Sequence, residues 1–237
     1  MKKKSRIRTG VWSLIDSFHT LRILLHGEID FVILDFEHGH WSRSQAALAV
    51  DFCREFGKYA VFRVPQPTQE WAQLAFDSNA HVLQVAGIRS QGDIDKLISI
   101  INYPPLGNLG YSPWTPQGFG GKNQNFSRPI MSIQIEDEIM LKQFIEGSLN
   151  VPEIVASIFI GRYDLSVSLG SPGEISSEAI FSLIESAVNR ANHIGKSIGT
   201  VSSDLSDATI LDRLGLSFVS IGSDIQRLSE VNLIGDE

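Results

Sequence analysis

Eight short apolar or β-branched runs alternate with helical stretches along the 237 residues, and nowhere do two strands follow one another directly. That alternation predicts an α/β chain folded as a single (β/α)8 TIM barrel, since each strand–helix–strand step lays its helix on a parallel sheet. A doubly wound sheet is the competing arrangement. Such sheets usually close with fewer strands, and no Gly-x-Gly-x-x-Gly follows the first strand here. At 43% hydrophobic residues the chain is apolar enough to bury one large core.

The elements follow in order. Gly10 to Leu14 is a short strand, and Asp16 to His26 a helix ending at Gly27. Phe31 to Asp35 is the second strand, followed by Phe36-Glu37-His38-Gly39-His40. A helix from about Arg43 to Phe56 ends at Gly57, and Tyr59 to Val64 is the third strand. Thr68 to Ser78 is a helix with Thr68 as its cap. His81 to Val85 is the fourth strand, and Asp93 to Ile101 the next helix. Tyr103 to Arg128 is the one long irregular segment, rich in Gly, Pro and Asn. Ile133-Gln134-Ile135-Glu136 closes the fifth strand. Asp137 to Asn150 has Ile139, Leu141, Phe144, Ile145 and Leu149 at helical spacing, and Ile158-Phe159-Ile160 is the sixth strand. A helix at Ser177 to His193, a strand at Ser197 to Val201, a helix at Leu205 to Leu214 and a strand at Ser217 to Ile221 complete the series.

Composition excludes several classes. Twenty Lys and Arg against 27 Asp and Glu give a net charge of −7, which argues against nucleic acid as a partner. The single cysteine, Cys53, excludes an internal disulfide, fits a reducing compartment, and reads as a buried inert thiol. No apolar run approaches the roughly 20 residues of a membrane span. Met1-Lys-Lys-Lys is followed by no apolar signal core, so it reads as a solvated tail. The expectation is a cytoplasmic protein. Gly118-Phe-Gly-Gly lacks the Lys and Ser/Thr of a phosphate loop, and the sequon at Asn125 has no meaning in the cytoplasm.

In a barrel the chemistry sits at the carboxyl ends of the strands. That rule collects Glu37 and His38 after strand two, Arg63 on strand three, Gln134 and Glu136 on five, and Asp164 after six. Glu136 and Asp164 end adjacent strands. Two carboxylates facing one crevice repel unless a proton or cation lies between them, and oxygen ligands favour a hard divalent ion such as Mg or Mn. Gln134 and Glu136 are two apart and share a face. Each residue has a structural alternative. Asp164 can be a helix cap, Arg63 half of a structural ion pair, and His38 a hydrogen-bonded structural histidine rather than a general base. The other five histidines read as structural.

The motifs Leu34-Asp35-Phe36-Glu37-His38, Val61-Phe62-Arg63-Val64-Pro65, Tyr103-Pro104-Pro105-Leu106-Gly107, Ile133-Gln134-Ile135-Glu136 and Phe159-Ile160-Gly161-Arg162-Tyr163-Asp164-Leu165-Ser166, in that order, resemble the HpcH/HpaI aldolase family of metal-dependent lyases of 4-hydroxy-2-oxo acids. The resemblance runs from Gly10 to Asp224. It implies a divalent metal (Mg, Mn or Co) on Glu136 and Asp164, chelated by the carboxylate and keto oxygen of pyruvate. It also implies that Arg63 stabilises the enolate oxygen with Gln134 beside it, and that His38 transfers a proton with support from Asp77. The substrates implied are a 2-oxo acid and an aldehyde, and the assembly a homo-oligomer, trimer or hexamer. No Schiff-base lysine is required, and none stands at a strand end.

Four departures accompany the likeness. Gly161-Arg162-Tyr163-Asp164 replaces a Gly-Pro-Ala-Asp pattern whose backbone holds the substrate carboxylate, so Arg162 and Tyr163 are expected at the substrate and should reshape its pocket. Leu109-Gly110 stands where an Arg-Gly pair is usual, and Ala86 where a Pro is. The chain ends at Asp236-Glu237, soon after strand eight. Competing readings are another enolate lyase, such as an oxaloacetate decarboxylase or citryl-type lyase, and a non-catalytic barrel with an altered rim.

Overall fold

A computed structural model of the chain describes residues 7–115 and 128–230. The Gly118-Phe-Gly-Gly loop, the Asn125 sequon, the lysine-rich start and Asp236-Glu237 lie outside the described residues. Eight parallel strands close into one barrel in sequence order. They are β1 (Arg8–Ser13), β2 (Phe31–Asp35), β3 (Tyr59–Val64), β4 (Val82–Val85), β5 (Ile130–Ile135), β6 (Val155–Ile160), β7 (Ser197–Ser202) and β8 (Phe218–Ser223). The helices are α1 (Phe18–Leu25), α2 (Arg43–Glu55), α3 (Gln69–Asp77), α4 (Gln91–Ile101), α5 (Glu138–Glu146), α6 (Arg162–Ser168), α7 (Glu178–His193), α8 (Leu205–Leu214) and α9 (Asp224–Ser229).

The strands read as nearly continuous apolar runs because both of their faces are covered. Outward residues such as Leu34, Phe62, Ile133, Ile158 and Val219 join the shell of helices in one large core. Inward residues Phe31, Ile33, Val61, Phe159 and Val201 form a second, smaller cluster inside the barrel. Space there is tight. A β-carbon on Gly10 would stand 2.2 Å from the Phe31 ring, so the ring occupies the volume that the missing side chain leaves.

Helix starts follow capping chemistry. Thr68 accepts the Trp71 N–H and Asp137 the Met140 N–H, at 3.4 and 2.8 Å. Each helix leaves its strand at the carboxyl rim and returns antiparallel, so helix amino ends cluster at that rim and helix carboxyl ends at the other. This direction decides which predicted site residues meet. Among the described residues no helix is long and apolar enough to cross a membrane.

Candidate active site at the carboxyl ends of the strands

The carboxyl mouth of the barrel holds a cavity of about 410 Å3, lined among others by His38, Arg63, Gln134, Gly161 and Asp164. Arg63 is its centre of positive charge. β2 and β3 pair in a register that sets Asp35 opposite Arg63. The buried Asp35 carboxylate accepts both Nε and Nη2 of the guanidinium, at 2.7 and 2.6 Å. Nη1 donates to Glu37, and the guanidinium carbon stands 4.8 Å from the centre of the Trp12 ring. The structural ion pair weighed for Arg63 is therefore present, and its partner Asp35 is the last residue of β2. Of the five N–H groups of a guanidinium, three are engaged. The other two have no partner among the described residues, and Arg63 lines the cavity.

Asp35 also accepts the backbone N–H groups of Glu37 and His38, at 2.9 and 3.2 Å. The turn that presents the histidine is thus built on the same carboxylate that holds the arginine. His38 is exposed at the rim, and its ring has no hydrogen-bond partner among the described residues. Burial pushes the Glu37 carboxyl up. Arg63 opposes that rise, while Glu136 and then Asp35 add to it and His38 opposes.

Glu136 follows β5 directly and is buried. Gln134 donates Nε2 to its Oε2 at 2.8 Å, and the Gly87 N–H meets its Oε1 at 3.1 Å. Gln134 is itself held by Gln84, whose Nε2 donates to its Oε1 at 3.0 Å. Arg89, exposed on the loop after β4, stands 3.5 Å from Glu136 and 3.4 Å from Asp137. On β6's side the chain approaches at Gly161, where a β-carbon would lie 2.9 Å from Glu136 Cβ and 3.1 Å from Gln134 Nε2. Only glycine fits against that carboxylate.

Asp164 lies in the first turn of α6 and lines the cavity. It is not the cap, since Gly161 holds that position without a side chain. In kind the donors suit a hard cation: Glu136 and Asp164 are carboxylates that follow adjacent strands, and Glu136 is fixed by two N–H donors beside the Gly161 backbone, although of the two only Asp164 lines the cavity. Among the described residues no cluster of three or more His, Cys, Asp and Glu side chains is assembled for a metal.

Three expectations are corrected. Arg162 does not offer its charge to a substrate. It is 0% exposed, and its guanidinium meets Asp207 at 2.6 Å, the Val201 carbonyl at 3.0 Å and the Ile175 carbonyl at 2.8 Å. Leu109 is buried in the main core and is not a rim residue. Asp77 does not reach His38, because it ends α3 at the far side of that helix from the rim; its carboxylate accepts Gln73 Nε2 at 2.8 Å. Tyr163 is exposed and lines the same cavity.

Comparison with known proteins decides the lineage. The family model described as HpcH/HpaI aldolase/citrate lyase matches residues 8–230. The chain belongs to the HpcH/HpaI aldolase/citrate lyase family. This is a family of carbon–carbon lyases. A pyruvate aldolase of Rhizobium etli is 28% identical to this member over 95% of the chain and 89% of its own length. A 2-keto-3-deoxy-L-rhamnonate aldolase of Escherichia coli O6:K15:H31 is 22% identical over 96% and 87%. A solved structure of an HpcH/HpaI aldolase/citrate lyase family protein from Burkholderia cenocepacia superimposes with a TM-score of 0.84 at 19% identity, covering 94% of this chain and 90% of that one.

Proposed function

We propose that this family member is a metal-dependent class II aldolase that cleaves or forms the C3–C4 bond of a 4-hydroxy-2-oxo acid. The observation that carries the reading is Glu136, a buried carboxylate oriented by Gln134 and the Gly87 N–H. Beside it Gly161 leaves the room a side chain would fill. When bound, a divalent ion (Mg, Mn or Co) on Glu136 and Asp164 supplies Lewis-acid polarisation of the 2-oxo acid.

The chain's own residues do the rest. In cleavage, His38 at the rim takes the proton of the 4-hydroxyl group, directly or through one water. The C3–C4 electron pair then moves toward the keto oxygen, where negative charge grows. Arg63 meets that charge with its two uncommitted N–H groups, preorganised because Asp35, Glu37 and Trp12 already fix the guanidinium plane. A proton returned to C3 completes pyruvate, and the aldehyde leaves through the open mouth. Gly161 and the backbone after it line the space for the substrate carboxylate, with Tyr163 at its edge. Burial of Arg162 removes one motive for a non-catalytic barrel. The substrates are a 2-oxo acid and an aldehyde, and the working unit a cytoplasmic homo-oligomer.

Cleavage of racemic 4-hydroxy-2-oxopentanoate, followed as pyruvate release, tests the proposal. Pyruvate should form with Mg, Mn or Co and stop with chelator or in Glu136→Ala. Release unaffected by both would overturn the metal role, and no release from this or longer 4-hydroxy-2-oxo acids would overturn the aldolase reading.

A further inference from the structure

The barrel has a second concavity, at the opposite mouth. The amino-terminal parts of all eight strands surround a cavity of about 600 Å3, at the end of the barrel opposite His38 and Arg63. That volume lies within the range of small-molecule sites. Its wall is largely apolar, with Phe31, Val61, Val82 and Phe218 prominent, and the polar side chains of Gln84 and Ser132 lie toward the barrel centre. Both matter. Gln84 is buried and its amide is held in one orientation by Gln134. Ser132 is 1% exposed, and its hydroxyl has no hydrogen-bond partner among the described residues.

A buried hydroxyl without a partner is rare in a folded protein and asks for one. Alternation along β5 sends Ser132 inward with Gln134 and Glu136, so the hydroxyl points into the barrel rather than toward the helices. Charge is confined to the rim of this mouth, at Arg8, Asp30 and Asp212, and Asp30 already accepts the Thr9 N–H at 2.8 Å. The interior therefore suits an uncharged molecule, since an ion buried there would lack a counter-charge.

We propose that the amino-terminal mouth is a second ligand site, for a small uncharged molecule carrying a hydroxyl on an aromatic or cyclic apolar body. The hydroxyl meets Ser132 and Gln84, and the body lies against Phe31 and Phe218. This assignment is independent of the aldolase reading.

The probe is 4-fluorophenol, titrated into the full chain and followed by fluorine NMR, with Mg and excess oxalate present to block the carboxyl mouth. Expected is saturable binding that survives oxalate, weakens about three- to tenfold in Ser132→Ala, as for loss of one net hydrogen bond, and weakens in Ser157→Leu, which narrows the cavity beside Ser132. Absence of saturable binding up to millimolar probe, displacement by oxalate, or affinity unchanged in Ser132→Ala would each overturn the proposal. The Ser132→Ala arm decides the matter even where Ser157→Leu fails to fold.

Discussion

Replacing Arg162 with methionine separates a structural clamp from a substrate group. The side chain joins α6, which carries Asp164, to the loop at Ile175 and to the end of β7 and the start of α8 through Val201 and Asp207. Methionine retains much of the volume but leaves the buried Asp207 without its counter-ion. Removing one partner of a buried pair costs about 3–5 kcal/mol. The Ser202 hydroxyl and Ser203 N–H still donate to Asp207, each at 3.0 Å, which favours the lower end of that range. At roughly 2–4 °C per kcal/mol for a domain of this size, about 3 kcal/mol lowers the thermal midpoint by roughly 6–12 °C. Removing both charges in Arg162→Met/Asp207→Leu should restore much of the loss. Denaturation of Arg162→Met, Asp207→Leu and the double variant against the parent closes the cycle. A single variant that loses under about 1 kcal/mol while raising KM would refute the clamp and return Arg162 to the substrate pocket.

Three further outcomes follow from the geometry. Gly161→Ala presses a β-carbon onto Glu136 and Gln134; overpacking of this kind costs about 1–3 kcal/mol, and displacing the carboxylate should lower metal affinity about 10–100-fold in a Mn titration. His81 accepts the Ala60 N–H on Nδ1 at 3.0 Å, and burial, aided by Arg54, holds its pKa below the ordinary 6.5. The unfolded chain therefore binds the proton more readily, so stability is lost as pH falls from 6.5 toward the folded value; His81→Asn, which keeps an acceptor but cannot titrate, should flatten that slope in urea melts. Burial pushes the Cys53 thiol up to about 12, so a disulfide thiol reagent should label it only after denaturant is added, and rapid labelling of the native chain would contradict its burial.

Much of the architecture was legible because parallel strands buried on both faces leave long apolar runs. Phe31–Asp35, Tyr59–Val64 and Leu205–Leu214 occupy the bounds read from sequence. The seven-residue α6 was not legible, because it is too short for helical periodicity to register. Asp35 carried a usable signal, for it and Arg63 each stand fifth in their strands, and parallel pairing sets them side by side. Arg162 misled because position alone suggested a rim, whereas its partner Asp207 lies 45 residues away, beyond the reach of any local pattern. Asp77 misled for a related reason. A likeness in sequence says nothing of helix direction, and the return of α3 carries it away from His38.

The proposed chemistry requires Glu136 and Arg63 to stabilise an enolate together. Deuterium exchange into the methyl group of pyruvate, followed by NMR, tests it without any assumption about the aldehyde. Exchange that requires Mg, Mn or Co, ceases with chelator and is lost in Glu136→Ala is the result predicted. A folded, metal-loaded protein that exchanges neither pyruvate nor longer 2-oxo acids would contradict it.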